Sequence, residues 1–430
     1  MTPTSSPFLL RSLNTLGRWL APHACMPDVR RLQARAQAAT GLSDFAPDAD
    51  FEQGLQMLQH SIRHDARLTL FGRLVWRDLL QRVLENRLLW VAWRKARPEI
   101  FQAPPPAPLI VLGHPRSGTT LLHRLLALDP RARALPMWEL QRPFPPLRGA
   151  DGRQRAGRRA IQLLRWAAPD LDHKHLTSGD DAEECMLLLD ACLVSLSFWV
   201  FGPMHSYMQW WLEADKQQAY RGYAEHLRFL QAQTPDLRLT LKAPAHTGCL
   251  PALMQALPQA MIVQTMRDPV TTLTSLNSLL STLHGVVSDA LDLPRMAQTN
   301  LQALLQMQQV SQAYQTAHPG SIYQLDYAQL TREPLEAVRA IHRHFDLPFE
   351  PDFAARLHQA LAQDQHARQS RHHYSPADFG QDAGQLQQAF ASGLYAPAAA
   401  RISVSAAHSA SPSTAHANHQ NTIIEKDAPS

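Results

Sequence analysis

The 430 residues include 41 basic and 37 acidic side chains, a formal net charge of +4, and 45% are apolar. This balance suits a globular chain with a substantial core, and no block of lysine or arginine points to nucleic acid. Cys25, Cys185, Cys192 and Cys249 lie far apart without CxxC or zinc spacing, so neither a disulfide framework nor a metal site is signalled and a cytoplasmic setting is expected.

Met1 to Ala21 has only short apolar pairs interrupted by Arg11, Asn14 and Arg18, and it reads as no secretory signal. From about Phe51 to Trp93 apolar residues recur at helical spacing, which predicts a helical N-terminal region over residues 1–103. Pro104, Pro105, Pro106 and Pro108 end it and deliver the chain extended into Leu109-Ile-Val-Leu112, the first expected strand. Gly113-His-Pro-Arg-Ser-Gly-Thr-Thr120 follows, and then the helical Leu121-Leu-His-Arg-Leu-Leu126. Strand, glycine loop and helix together make a phosphate cradle, because the N–H groups and positive dipole at a helix start bind an anion. Thr119 stands where a nucleotide-triphosphate loop of the form GxxxxGK[ST] requires lysine, so the cradle suits a single anionic arm. Arg116 can fork onto two oxygens of such an arm, and Ser117, Thr119 and Thr120 add hydroxyls beside Gly118.

Pro136 to Pro146 reads as irregular, and Asp151 to Gln233 as mostly helical. Within this span, the basic stretch Arg148 to Arg165 reads as a solvated helix face, with a partner surface as the alternative. Met186 to Phe201 reads as a buried helix, since Asp190 interrupts it and it is shorter than the roughly 20 residues that span a bilayer. No integral membrane segment is expected. The aromatics Phe198, Trp199, Tyr207, Trp210 and Trp211 suit either a helical core or an acceptor pocket. Further strands are expected at Leu237 to Lys242, Ala260 to Met266 and Ser321 to Tyr327, each followed by a helical stretch. The alternation predicts an α/β, P-loop-like three-layer fold with a mainly parallel central sheet over residues 104–396, its functional loops at the strands' carboxyl ends. Residues 397–430 are expected to form a disordered tail. His173, His175, His372 and His373 lack a third ligand at metal spacing, and no metal is expected.

Arg267 closes the strand expected at Ala260 to Met266 and Ser275 comes two helical turns later, a pairing suited to a second, isolated phosphate. At this point the chain resembles the sulfotransferases, in particular the bacterial branch whose loop reads PR[ST]GTT and which is related to the tyrosylprotein sulfotransferases. The resemblance covers roughly residues 35–395 and includes the cradle, Trp138-Glu139, Glu183-Glu-Cys185, Leu241-Lys-Ala-Pro244 with His246, Arg267-Asp-Pro269 with Ser275, and Asp326-Tyr327. It implies transfer of a sulfonate from 3′-phosphoadenosine 5′-phosphosulfate (PAPS) to a hydroxyl or amine of a small-molecule or lipid acceptor. Arg116 to Thr120 would hold the 5′-phosphosulfate, Arg267 and Ser275 the 3′-phosphate, and Tyr327 would lie beside the nucleotide. Lys242 matches the lysine placed against the transferring sulfonate. Glu139 is the first candidate for the general base, His246 its rival, and Glu183 and Glu184 a third possibility. A P-loop kinase or NTPase and a catalytically silent protein of the same fold are the competing readings.

Overall fold

Along Leu109–Gly113 (β1), side chains alternate between two cores: Leu109 and Val111 join one, Ile110 and Leu112 the other. A strand buried on both faces in this way belongs at the centre of a parallel sheet covered by helices on each side. In the computed structural model, which describes residues 7–20, 25–169, 179–364 and 375–392, β1 occupies that central place. The other strands are Ala132–Arg133 (β2), Arg238–Lys242 (β3), Met261–Met266 (β4) and Ile322–Asp326 (β5). They run in the order β2-β3-β1-β4-β5, and every pairing is parallel.

The α/β architecture expected from the sequence is therefore present, with β2 as an additional edge strand. At two residues, β2 is too short to show any periodicity. Pro136 to Pro146 is also less irregular than expected, because it contains the short helix Met137–Gln141. Tyr327 is the first residue of a helix instead of the last of a strand, since the Asp326 side chain accepts the Ala328 N–H and caps that helix.

Residues 1–395 form one compact unit, so the N-terminal helices share a body with the sheet. The larger core runs from Leu32, Phe51 and Trp76 in those helices to Ile110, Leu241 and Ile262 in the sheet. The 27-residue helix Leu70–Ala96, about 40 Å long, starts at Thr69, whose hydroxyl accepts the Gly72 N–H. A Cβ at Gly72 would lie 2.0 Å from the Val287 carbonyl oxygen, so glycine permits this helix to abut the end of the helix Pro269–Val287. Met186 to Phe201 is not one helix. A 3₁₀ helix, Cys185–Cys192, ends where Leu193 adopts a left-handed φ of 59°, and a short helix, Ser197–Val200, follows. The buried Asp190 carboxylate accepts a hydrogen bond from the Ser197 hydroxyl across that break. The predicted tail, His173, His175, His372 and His373 lie outside the described residues.

Candidate active site

The cradle is held by polar side chains of its own and of the neighbouring strand ends. Gly113 has φ 134°, and a Cβ there would lie 2.4 Å from the Thr265 carbonyl oxygen, so only glycine fits against β4. The Thr247 hydroxyl accepts the Gly113 N–H (2.9 Å) and donates to the Gly113 carbonyl (3.0 Å). The Ser117 hydroxyl, fully buried, donates to the His114 carbonyl (2.6 Å) and lies 2.6 Å from the Thr265 hydroxyl. Ser117 thus braces the loop internally, whereas the sequence suggested a hydroxyl directed at the ligand. Arg116 holds a left-handed φ of 68°, a conformation costing about 1–2 kcal/mol for a residue with a Cβ and characteristic of functional loops. Gly118, at φ 93°, precedes the helix Thr119–Leu126, whose first N–H groups have no partner within the helix.

Strand register assembles the rest. Val111 lies opposite Lys242, Gly113 opposite Thr265, and Met266 opposite Asp326, so the cradle, Lys242, Arg267 and Tyr327 all emerge at the same sheet edge. Asp268 caps the helix Pro269–Val287 by accepting the Thr271 N–H (2.7 Å), and Pro269 occupies the first turn. This start fixes Arg267 just outside the helix and carries Ser275 two turns along it. Arg267 donates to the Arg116 carbonyl (2.9 Å), and its guanidinium carbon sits 4.2 Å from the centre of the Tyr327 ring. The Arg116 Nε donates to the Ser275 hydroxyl (3.1 Å). The two anion-binding halves inferred separately from sequence are therefore joined through Arg116. Tyr327 also limits the cradle: a Cβ at Gly118 would come within 2.7 Å of its ring.

The candidate catalytic groups separate clearly. Glu139 is buried in an ion pair with Arg133 of β2 (2.7 Å) and does not line the central cavity. Trp138 packs under the Arg153 guanidinium, 5.3 Å from ring centre to Cζ. His246 also stays out of the cavity. Its Nδ1 lies 2.7 Å from the Tyr220 hydroxyl and its Nε2 3.3 Å from the Cys185 sulfur, and burial pushes its pKa down to about 3. Glu183 and Glu184, the least favoured pair in the sequence, both line the cavity. Lys242 is wholly buried, and its Nζ lies 3.0 Å from Glu184 Oε1 and 3.8 Å from Glu183 Oε2. Its charge thus meets the cavity through those two carboxylates. The Cys185 thiol donates to the Lys242 carbonyl (3.4 Å), which links the 3₁₀ helix following the glutamates to the end of β3.

One cavity of about 320 Å³ connects these groups to an apolar space. Arg116, Thr119, Thr120, Arg267 and Tyr327 line it together with Glu183 and Glu184, and Leu164, Trp199, Phe201, Leu280, Leu283 and Met307 are among its apolar walls. Of the aromatic run, Phe198, Trp199, Tyr207 and Trp211 all belong to the core, and Trp199 also lines the cavity, with its indole N–H donating to Asn300 (2.9 Å). Sequence reasoning passed over Thr247 and Thr265. A buried threonine beside a strand end gives no signal without knowledge of which loop it touches. Among the described residues no group of His, Cys, Asp and Glu could hold a metal ion.

Residues 108–351, more than half of the chain, match the Sulfotransferase family. The chain belongs to that family. Its relatives include two curated mycobacterial proteins, the omega-hydroxy-beta-dihydromenaquinone-9 sulfotransferases Stf3 of Mycobacterium bovis and Mycobacterium tuberculosis. Each is 25% identical over 282 residues, a stretch spanning 59% of this chain and 66% of theirs. Two crystal structures share the architecture. Sulfotransferase STF1 from Mycobacterium tuberculosis H37Rv superposes with a TM-score of 0.70 at 27% identity, covering 85% of this chain and 99% of that one. Sulfotransferase STF9 from Mycobacterium avium gives 0.76 at 27% identity, covering 86% and 96%. In this family member the cradle follows the central strand β1, and the Arg267–Ser275 pair follows its neighbour β4.

Proposed function

We propose that the protein transfers a sulfonate from PAPS to the hydroxyl of a lipophilic acceptor. The observation that carries this reading is the single cavity, in which a lysine-free anion cradle and two carboxylates open directly onto apolar walls. The cradle suits a 5′-phosphosulfate, and Arg267 with Ser275 suits an isolated 3′-phosphate. Stf3, by its name, acts on a hydroxylated menaquinone, which accords with an apolar acceptor space.

Transfer requires the acceptor oxygen to attack sulfur in line while the S–O bond to the 5′-phosphate breaks, leaving adenosine 3′,5′-bisphosphate. Negative charge grows on the departing phosphate oxygen, where the cradle N–H groups and Arg116 stabilise it. The acceptor proton passes to Glu184, which lines the cavity and whose side chain is 22% exposed, so it can return the proton to solvent. Glu183 and Lys242 position it. Neither Glu139 nor His246 acts as base in this account, because neither reaches the cavity.

Sulfonate-labelled PAPS, supplied with a panel of long-chain and polycyclic alcohols, tests the proposal. Labelled sulfate ester should form, and Glu184→Gln should lower turnover about 100-fold or more at unchanged affinity for the nucleotide. Label transfer to no alcohol by a protein that binds PAPS normally would reject the acceptor class, and full turnover in Glu184→Gln would reject the base.

A further inference from the structure

Five large apolar side chains are exposed among the described residues, and four of them fall on two helices: Leu13 (41% exposed) and Leu16 (57%) on Phe8–Leu20, and Leu163 (49%) and Trp166 (45%) on Arg153–Ala167. Both helices reach Phe71, at the start of the helix Leu70–Ala96. The Phe71 N–H donates to the Asn14 side chain (3.1 Å), and the Trp166 ring packs edgewise on Phe71, 6.5 Å between centres. Scattered exposed leucines are ordinary on a protein surface, but a cluster containing tryptophan marks an interaction site.

The sequence of the second helix indicates what the cluster meets. Arg153–Ala167 has five arginines and no acidic residue. Asp151 and Asp180 pair with Arg153 and Arg158, while Arg155 and Arg159 are exposed. At 100° per residue, Arg155, Arg159, Leu163 and Trp166 share one outward face, and Gly157, Ile161 and Leu164 turn inward. An exposed face that runs from arginine to leucine and tryptophan has the composition of a helix lying in a bilayer interface, with guanidinium groups on lipid phosphates and the indole at headgroup depth. The same helix contributes Leu164 to the cavity wall. At the cavity's apolar side, Leu283 lies one turn from Val287, whose carbonyl accepts the Thr69 N–H (2.9 Å) where the Phe71 helix begins. The patch thus lies directly behind the apolar half of the site.

We propose that this patch docks the protein on the surface of an anionic lipid bilayer, from which a lipophilic acceptor passes into the cavity. The attachment is peripheral, since no helix among the described residues is long and apolar enough to cross a membrane. The acceptor clause rests on the function proposed above, but docking is measured without nucleotide or acceptor.

Flotation of the full chain with phosphatidylcholine vesicles, with and without about one-third phosphatidylglycerol, provides the test. Binding is expected only to the anionic vesicles and is expected to fall steeply with salt. Arg155→Glu/Arg159→Glu and, separately, Leu163→Ser/Trp166→Ser should each weaken it about tenfold or more. Leu147→Ser, at the remaining exposed leucine, should leave it unchanged. Unaltered melting temperature and adenosine 3′,5′-bisphosphate affinity in all variants would show that fold and nucleotide site persist. Absence of binding to anionic vesicles, or binding by the two double variants as tight as that of the native protein, would overturn the proposal. Self-association abolished by Leu163→Ser/Trp166→Ser, without vesicle binding, would assign the patch to a second copy of the chain instead.

Discussion

Replacing Lys242 by methionine keeps the length of the side chain but removes the buried cation between Glu183 and Glu184. At an effective dielectric of about 20, contacts of 3.0 and 3.8 Å represent about 5 and about 4 kcal/mol of attraction before desolvation. Desolvation of the lysine offsets much of this, and breaking such a pair from one side typically costs about 3 to 5 kcal/mol because buried carboxylates lose their partner. Partial exposure of Glu184 places the expected loss near the lower end, about 3 kcal/mol. Urea unfolding at neutral pH measures it against Lys242→Met/Glu183→Gln/Glu184→Gln, which removes the charges together. If Lys242 neutralises the two glutamates, the triple variant should recover to within about 1 kcal/mol of the native protein while remaining inactive. A single variant costing less than about 1 kcal/mol, or a triple variant as unstable as the single, would refute the reasoning.

Arg267→Ala removes the guanidinium stacked on Tyr327 and should weaken PAPS and adenosine 3′,5′-bisphosphate binding about 10- to 100-fold with a smaller effect on kcat; calorimetry and kinetics separate the two. Gly118→Ala places a Cβ 2.7 Å from the Tyr327 ring at a φ of 93°, and should both destabilise the protein by about 1–3 kcal/mol and reduce nucleotide affinity. Leu280→Trp, which fills the apolar wall, should raise KM for bulky alcohols while leaving nucleotide affinity unchanged, and a competition assay between long and short alcohols reads the shift. Burial lowers the pKa of His114, His123 and His226 to about 4, and of His246 and His284 to about 3. Each binds its proton more readily when unfolded, so their contribution to stability is complete above about pH 6.5 and is lost as pH falls toward 3 to 4. Asp190, raised to about 6 by burial, acts in the opposite direction between pH 3.8 and 6. A melting-temperature profile should therefore decline below pH 6.5, and less steeply in a His246→Phe variant that still folds.

The sheet was legible because β1, β3, β4 and β5 are apolar runs bounded by glycine or proline and separated by helical stretches, and because a parallel sheet leaves few alternatives for joining them. The cradle and the Arg267–Ser275 pair were legible for a related reason: each is local in sequence, with its geometry set by a loop and a helix start. The base was not. Glu139, His246 and Glu184 are all acid–base residues near strand ends, and only tertiary contacts show that the first is held by Arg133, the second is enclosed by Tyr220 and Cys185, and the third reaches the cavity. Lys242 was found where expected at the end of β3, but its pairing with Glu183 and Glu184 spans 59 and 58 residues of sequence and has no local signature. The break in Met186 to Phe201 was hidden because an apolar run reads alike as a helix or as a buried irregular wall, and the left-handed turn at Leu193 uses no glycine.

The cradle and the Arg267–Ser275 pair are proposed to form one metal-free site for a 3′-phosphorylated nucleotide. Titration calorimetry in the presence of EDTA tests it most directly, with adenosine 3′,5′-bisphosphate against adenosine 5′-monophosphate and, in a parallel cell with magnesium, against ATP. Binding of the bisphosphate at least about 100-fold tighter than the monophosphate, abolished or strongly weakened in Arg267→Ala, is the predicted result. Equal affinity for the two nucleotides, or magnesium-dependent binding of ATP with none of the bisphosphate, would contradict it.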